Sequence, residues 1–253
     1  MNTENLVALY EKNSKHSNYQ ILPEVLKEYL DQDKLNINSR YEKERMQYFK
    51  SKVLFKNKKL LDIGANTGYF TFESVDAGVS QALVYEGNTN HSKFIEEASK
   101  IVKYPIKVNH SYYTFDEKNE EQFDIVLLLN IVHHFGDDYG NQSVHKADAK
   151  KHMIQCINSL SYNCETMIFQ MGFNWKGDRH DCLFDEGTKK EQIEFIKNGV
   201  KDFWQVQEIG VAQKYEDKVV YEDVNGENIK REDSIGEFLN RPIIILKSLR
   251  YNG

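Results

Sequence analysis

The chain has 253 residues, 40% of them hydrophobic, enough for a full α/β core and short for two large domains. Its net charge of −6 argues against a surface built generally for polyanions, because nucleic-acid affinity rests on Lys and Arg neutralising phosphates. No apolar run approaches the roughly 18 residues needed to cross a bilayer. The start, Met1-Asn2-Thr3-Glu4-Asn5, lacks the blocks of a signal peptide, and Cys156, Cys164 and Cys182 form no C-x-x-C pair; the expectation is a cytoplasmic protein with reduced thiols.

In chain order, residues 1–58 read as three helices, Asn5 to Lys12, Leu22 to Asp31 and Ser39 to Phe55, the last with Tyr41, Met46, Phe49 and Val53 near helical spacing. They are expected to form a helical lid or substrate segment before a catalytic domain over 59–253, with Tyr41 and Arg45 facing the substrate. This segment carries 11 Lys/Arg against 8 Asp/Glu, whereas the remainder carries 22 against 31. The basic run Lys43, Arg45, Lys50, Lys52, Lys56, Lys58 and Lys59 is read as a solvated helix face, with an anionic substrate as the alternative.

From Leu60 to Phe70 an apolar strand breaks into a glycine-bearing turn, Asp62-Ile63-Gly64-Ala65-Asn66-Thr67-Gly68, and reopens as a helix. Gly64 and Gly68 lack a Cβ and Asn66 tolerates positive φ, so the main chain can turn sharply and let a ligand come close. N–H groups at the start of the following helix are expected to face the ligand's negative end. The glycines fall as G-x-x-x-G behind an aspartate, not as the dinucleotide comb G-x-G-x-x-G. A second apolar strand then ends in a carboxylate, Gln81-Ala82-Leu83-Val84-Tyr85-Glu86, at an offset near that of ribose-binding acids.

Further on, after Phe123, a continuous apolar run bounded by Asp124 and Asn130 is of the kind a strand buried on both faces shows, and the pair His133-His134 follows it. Strands are placed at Lys59 to Ile63, Ala82 to Glu86, Ile106 to Asn109, Asp124 to Leu129, Thr166 to Met171, Trp204 to Ala212 and Pro242 to Lys247. Their alternation with helices implies a mainly parallel seven-stranded sheet. The last two strands are expected to pair with each other, and the charged stretch from Tyr215 to Phe238 is read as an exposed connection. Phe173, Trp175 and Arg179, after the fifth strand, are expected to shape the acceptor pocket. Asp137, Asp138, His180, Asp181 and Cys182 offer metal-ligand chemistry without a recognised spacing, and no metal is assigned.

Three landmarks carry a family resemblance: the turn from Asp62 to Gly68, Glu86, and the strand with Phe123, Asp124, Val126, His133 and His134. Together they resemble the class I S-adenosylmethionine-dependent methyltransferases, whose first motif is an acidic residue followed by G-x-G-x-G; Asn66 stands where the middle glycine is usual. The resemblance implies a Rossmann-like α/β sheet with an antiparallel last strand, and an S-adenosyl-L-methionine site made by Asp62, Gly64, Asn66, Gly68, Phe70, Glu86, Gly87, Ser111, Tyr112 and Asn130. The family often has an acidic residue after the third strand; here none precedes Asp116, and Ser111 or Tyr112 is taken to replace it. His133 and His134 line the catalytic cavity, His133 either as a base or in a packing and hydrogen-bonding role. The expected reaction is methyl transfer to a small molecule or saccharide, at oxygen. Short motifs also resemble bacterial polysaccharide-modifying and tRNA wobble-uridine-modifying methyltransferases. A tRNA-modifying enzyme and a catalytically silent binding protein of the same fold remain as alternatives.

Overall fold

The computed structural model describes residues 3–12, 16–115 and 121–252, so Asp116 lies outside the described residues. The chain forms two compact units, Met1–Tyr113 and Thr114–Gly253.

In the first unit, β1 (Lys59–Ile63) pairs in parallel with β2 (Gln81–Tyr85), and β2 with β3 (Ile106–Asn109). The register sets Ile63 opposite Tyr85 and Tyr85 opposite Asn109, so the carboxyl ends lie flush. Pairing continues one step further, with Gly64 N–H on Tyr85 O and Glu86 N–H on Asn109 O. That flush edge sets the glycine turn beside Glu86. The connections are α3 (Tyr69–Asp76) and α4 (Thr89–Val102), which starts at an Asn88 cap whose side chain accepts the N–H groups of Asn90 and His91. α1 (Thr3–Glu11) packs on α4 through Leu6, Tyr10, Phe94, Ile95 and Ala98.

The N-terminal segment differs from expectation between α1 and β1. In place of a helix over residues 22–31 there are two single 3₁₀ turns, Glu24–Leu26 and Gln32–Lys34. Pro23 holds an extended conformation at the entry, and the Asp31 side chain accepts the Asp33 N–H to open the second turn. Leu22, Leu26 and Leu30 are all buried, so their four-residue spacing reports a core face without a continuous helix. The third expected helix is present but shorter, as α2 (Glu42–Lys52).

In the second unit the strand order is β4-β5-β8-β6-β7. β4 (Phe123–Leu129) and β5 (Cys164–Gln170) are parallel, β8 (Ile243–Ser248) runs antiparallel to β5, and β6 (Trp204–Tyr215) antiparallel to β8. The two packed helices are α5 (Lys146–Ser159) and α6 (Lys189–Val200), with the single-turn α7 (Gly236–Leu239) leading towards β8. The fold is mixed α/β and mainly parallel, as expected, but among the described residues its strands number eight, not seven. The added strand, β7 (Lys218–Asp223), pairs antiparallel with an extended β6 inside the stretch read as an exposed connection. Val219 and Tyr221 are buried on one side of β7, while the charges of Lys218, Glu222 and Asp223 mask that alternation in the sequence.

Candidate functional site

In the first unit the turn after β1 has the predicted backbone: Gly64 (φ 74°), Asn66 (φ 56°) and Gly68 (φ 84°) are all left-handed. A side chain at Gly68 would also meet Ile95 at 3.0 Å, so both conformation and space require glycine there. Glu86 is buried and bridges this turn to α4: one carboxylate oxygen accepts the Asn66 N–H at 2.7 Å and the other the Asn88 N–H at 2.8 Å. Three further N–H groups of the turn and helix start are also engaged. Thr67 N–H donates to the Asn66 side chain (2.9 Å), Gly68 N–H to Ala65 O (2.9 Å), and Tyr69 N–H to Gln20 Oε1 (3.0 Å). The helix-start donor at Tyr69 therefore meets a side chain of the N-terminal segment, which sequence reading did not anticipate.

Asp62 lies beneath the turn. Its carboxylate accepts the Thr71 hydroxyl at 2.6 Å and so ties β1 to the first turn of α3. Burial raises its pKa to about 7; the Thr71 hydrogen bond opposes the rise and the Glu86 charge adds to it. Phe70 is a core residue against Phe49 and Tyr69, and the buried Arg45 lies over its ring at 4.6 Å while pairing with Glu42 at 3.5 Å. Arg45 is thus brought to the base of the turn, whereas Tyr41 is exposed as the left-handed residue before α2.

Gly87 and Tyr112 are brought together. A Cβ on Gly87 would stand 2.5 Å from the Tyr112 ring, and that ring is 54% exposed. The Tyr112 ring therefore lies directly against the glycine that follows the buried acid. Ser111 is exposed beside it.

In the second unit, Asn130 (φ 62°) closes β4 and belongs to a polar network. It donates to Gln170 Oε1 at 3.1 Å and accepts Arg241 Nη1 at 2.8 Å, while Glu237 accepts the Nε and Nη2 groups of Arg241. Arg241 in turn holds Glu237 below the usual carboxylate range against the opposing effect of burial, and the Phe173 N–H donates to the same carboxylate. No spacing in the sequence points to Gln170, Glu237 or Arg241. His133 is buried in the 3₁₀ turn Val132–His134, and its Nδ1 accepts the Gly172 N–H at 3.1 Å. Since a backbone amide only donates, neutral His133 carries its proton on Nε2. His134 stacks beside it at 4.3 Å and turns Nδ1 towards Asp138 (3.3 Å) and Asp137 (3.9 Å).

The residues expected to form an acceptor pocket differ in exposure. Phe173 and Trp175 are buried, the Trp175 indole donating to Phe135 O at 2.8 Å, whereas Arg179 is exposed. Of the residues with metal-ligand chemistry, Asp181 is ion-paired with Lys146, Cys182 directs its sulfur to Phe173 O at 3.5 Å, and His180 is exposed.

These strands, turns and helices make the fold of class I S-adenosylmethionine-dependent methyltransferases. The "putative RNA methyltransferase PH1948" from Pyrococcus horikoshii is similar over 97% of this chain and 96% of its own, with a TM-score of 0.51 at 14% identity. WbdD is similar over 96% of this chain but 46% of its own length, with a TM-score of 0.57 at 11% identity. A second WbdD structure, of "the bifunctional kinase- methyltransferase", gives 0.56 at 11%. This chain thus spans less than half of WbdD. No protein-family model and no curated protein matches the sequence.

Proposed function

We infer that the protein is an S-adenosyl-L-methionine-dependent methyltransferase of the cytoplasm. The observation that carries this reading is the buried Glu86 carboxylate, joined by hydrogen bond to the left-handed Asn66 of the glycine turn. The chain's residues fit the cofactor. A carboxylate is the acceptor that two neighbouring ribose hydroxyls need, Tyr112 over Gly87 offers a flat surface for a base, and Gly64 and Gly68 let the main chain approach the rest. When bound, the cofactor supplies a methyl group already activated by its sulfonium. The protein's task is then placement, and good orientation alone removes up to roughly 7–11 kcal/mol of barrier.

We assign the acceptor as a small molecule or saccharide methylated at oxygen, with His133 and His134 as the residues that meet it. His133 acts as a hydrogen-bond donor through Nε2–H, held by Gly172; as a base it would have to exchange tautomer and give up that bond. The absence of a net positive charge favours this acceptor over nucleic acid. The basic run before β1 is partly neutralised: Arg45 pairs with Glu42 and Lys50 with Glu73. The rival reading, an RNA acceptor, draws support from the likeness to PH1948 over nearly the whole of both chains. Incubating the protein with labelled methyl donor and either metabolite and glycan extracts or total tRNA separates the two. Label in a small product supports the reading, label in RNA replaces it, and tight cofactor binding with no label in either points to a silent binding protein.

A further inference from the structure

We propose that Gln20, in the segment between α1 and the first 3₁₀ turn, binds the carboxylate of the cofactor's amino-acid tail through its side-chain N–H groups. This deepens the methyltransferase reading and rests on it. The orientation of the Gln20 amide follows from its partners. Oε1 accepts both the Tyr69 N–H at 3.0 Å and the Thr67 hydroxyl at 3.2 Å. The Tyr69 amide can only donate, so the oxygen must face α3 and the NH₂ group must face away from it.

Access and the state of the neighbouring donors give that NH₂ group a task. Gln20 is 9% exposed as a whole residue, no hydrogen bond joins its side-chain nitrogen to another described residue, and that nitrogen is not enclosed, so it is the edge of the amide that an arriving ligand can reach. Meanwhile Asn66, Thr67, Gly68 and Tyr69 all spend their main-chain N–H groups within the first unit. An anion arriving at this turn therefore finds those four backbone donors taken and the Gln20 amide presented beside them. The segment is held in place independently: Asn66 Nδ2 donates to His16 O at 2.8 Å, the Tyr10 hydroxyl donates to Gln20 O, and Asn38 N–H donates to Asn18 O at 2.7 Å. Gly68, which precedes α3, has no side chain to cap the helix, so Gln20 serves as cap and as ligand donor with opposite edges of one amide.

The test uses two ligands that differ by the tail, S-adenosylhomocysteine and methylthioadenosine, with calorimetry on the full chain. Gln20→Glu is isosteric and keeps an oxygen on the Tyr69 N–H, but replaces the outward donor with a negative acceptor. S-adenosylhomocysteine affinity is expected to fall roughly ten- to hundredfold while methylthioadenosine affinity stays within about twofold. Gln20→Met, which removes the donor without adding charge, should lower the ratio of the two affinities in the same direction. An unchanged ratio in both variants overturns the proposal, including when both ligands weaken together, which is the mark of a damaged helix start. If the wild-type chain binds neither ligand, the cofactor reading itself fails at the first arm, before any variant is compared.

Discussion

Glu86 and Asn66, twenty residues apart in sequence, are joined by a main-chain N–H donated to a buried carboxylate at 2.7 Å. That bond fixes the left-handed turn against the end of β2, so the geometry of the turn and the charge beside it are one unit. Glu86→Gln keeps the shape but exchanges one oxygen for a donor that must face either Asn66 N–H or Asn88 N–H. The expected loss is roughly ten- to hundredfold in affinity for S-adenosylhomocysteine, with about 1–3 kcal/mol of stability from the mismatched buried donors. Calorimetry and urea melts measure both. Unaltered binding would remove Glu86 from the cofactor site.

Gly87 lies under the Tyr112 ring, with only 2.5 Å available for a Cβ. Gly87→Ala must therefore push the ring aside, and the flat surface beside Glu86 with it. Affinity for adenosine-containing ligands should drop by roughly tenfold. In the Tyr112→Ala background the same alanine should cost little more, because the clashing ring is gone. Additive losses in this double-mutant cycle would show that the two residues act separately.

How much of the fold and site is readable from the sequence depends on how local each feature is. The turn from Asp62 to Gly68 and the strand end at Glu86 are contiguous patterns in which backbone freedom and apolar periodicity say the same thing, and the structure has them where expected. Gln20 carries no such signal: its role comes from a contact 49 residues away at Tyr69. β7 is hidden because charged residues outnumber its two inward apolar ones, and the leucines at 22, 26 and 30 suggest a helix that Pro23 and the Asp31 turn divide. Phe173 and Trp175 are buried, and the indole of Trp175 is held by Phe135 O, a contact 40 residues away in sequence that no local pattern announces.

His133 supplies a kinetic prediction. With Nδ1 accepting the Gly172 N–H, His133 presents Nε2–H as a donor, and on the reading proposed above methyl transfer needs no proton removed by this residue. His133→Asn or His133→Gln, which can still donate, should retain more of kcat/KM than His133→Phe, and the acidic limb of the pH profile should be the same in all three as in the wild type. An acidic limb that disappears in every variant would restore the general-base assignment, because a base must be deprotonated to act.

Asp62 and His91 make opposite contributions to the pH dependence of stability. Burial raises the Asp62 pKa from 3.8 to about 7, so the folded state holds a proton that the unfolded state has released. Its contribution is complete below about pH 4 and is lost as pH rises through about 7. The buried His91, first by desolvation and then by the His16 charge, is lowered from 6.5 to about 4. Here the unfolded state binds the proton first, so the contribution is present above about 6.5 and is lost as pH falls through about 4. Over the shared window the two slopes oppose one another and flatten the wild-type profile. Asp62→Asn, which can still accept the Thr71 hydroxyl, should leave the His91 slope exposed, with stability rising between pH 4 and 6.5; His91→Leu should leave the Asp62 slope, with stability falling between pH 4 and 7. Across its window each group changes stability by a few kcal/mol at most, because a tenfold difference in proton affinity between the folded and unfolded chain is worth about 1.4 kcal/mol. Urea midpoints across this range, in each variant and in the double variant, measure the effect. Parallel profiles in all four proteins would mean that neither group is held away from its ordinary ionisation in the folded chain.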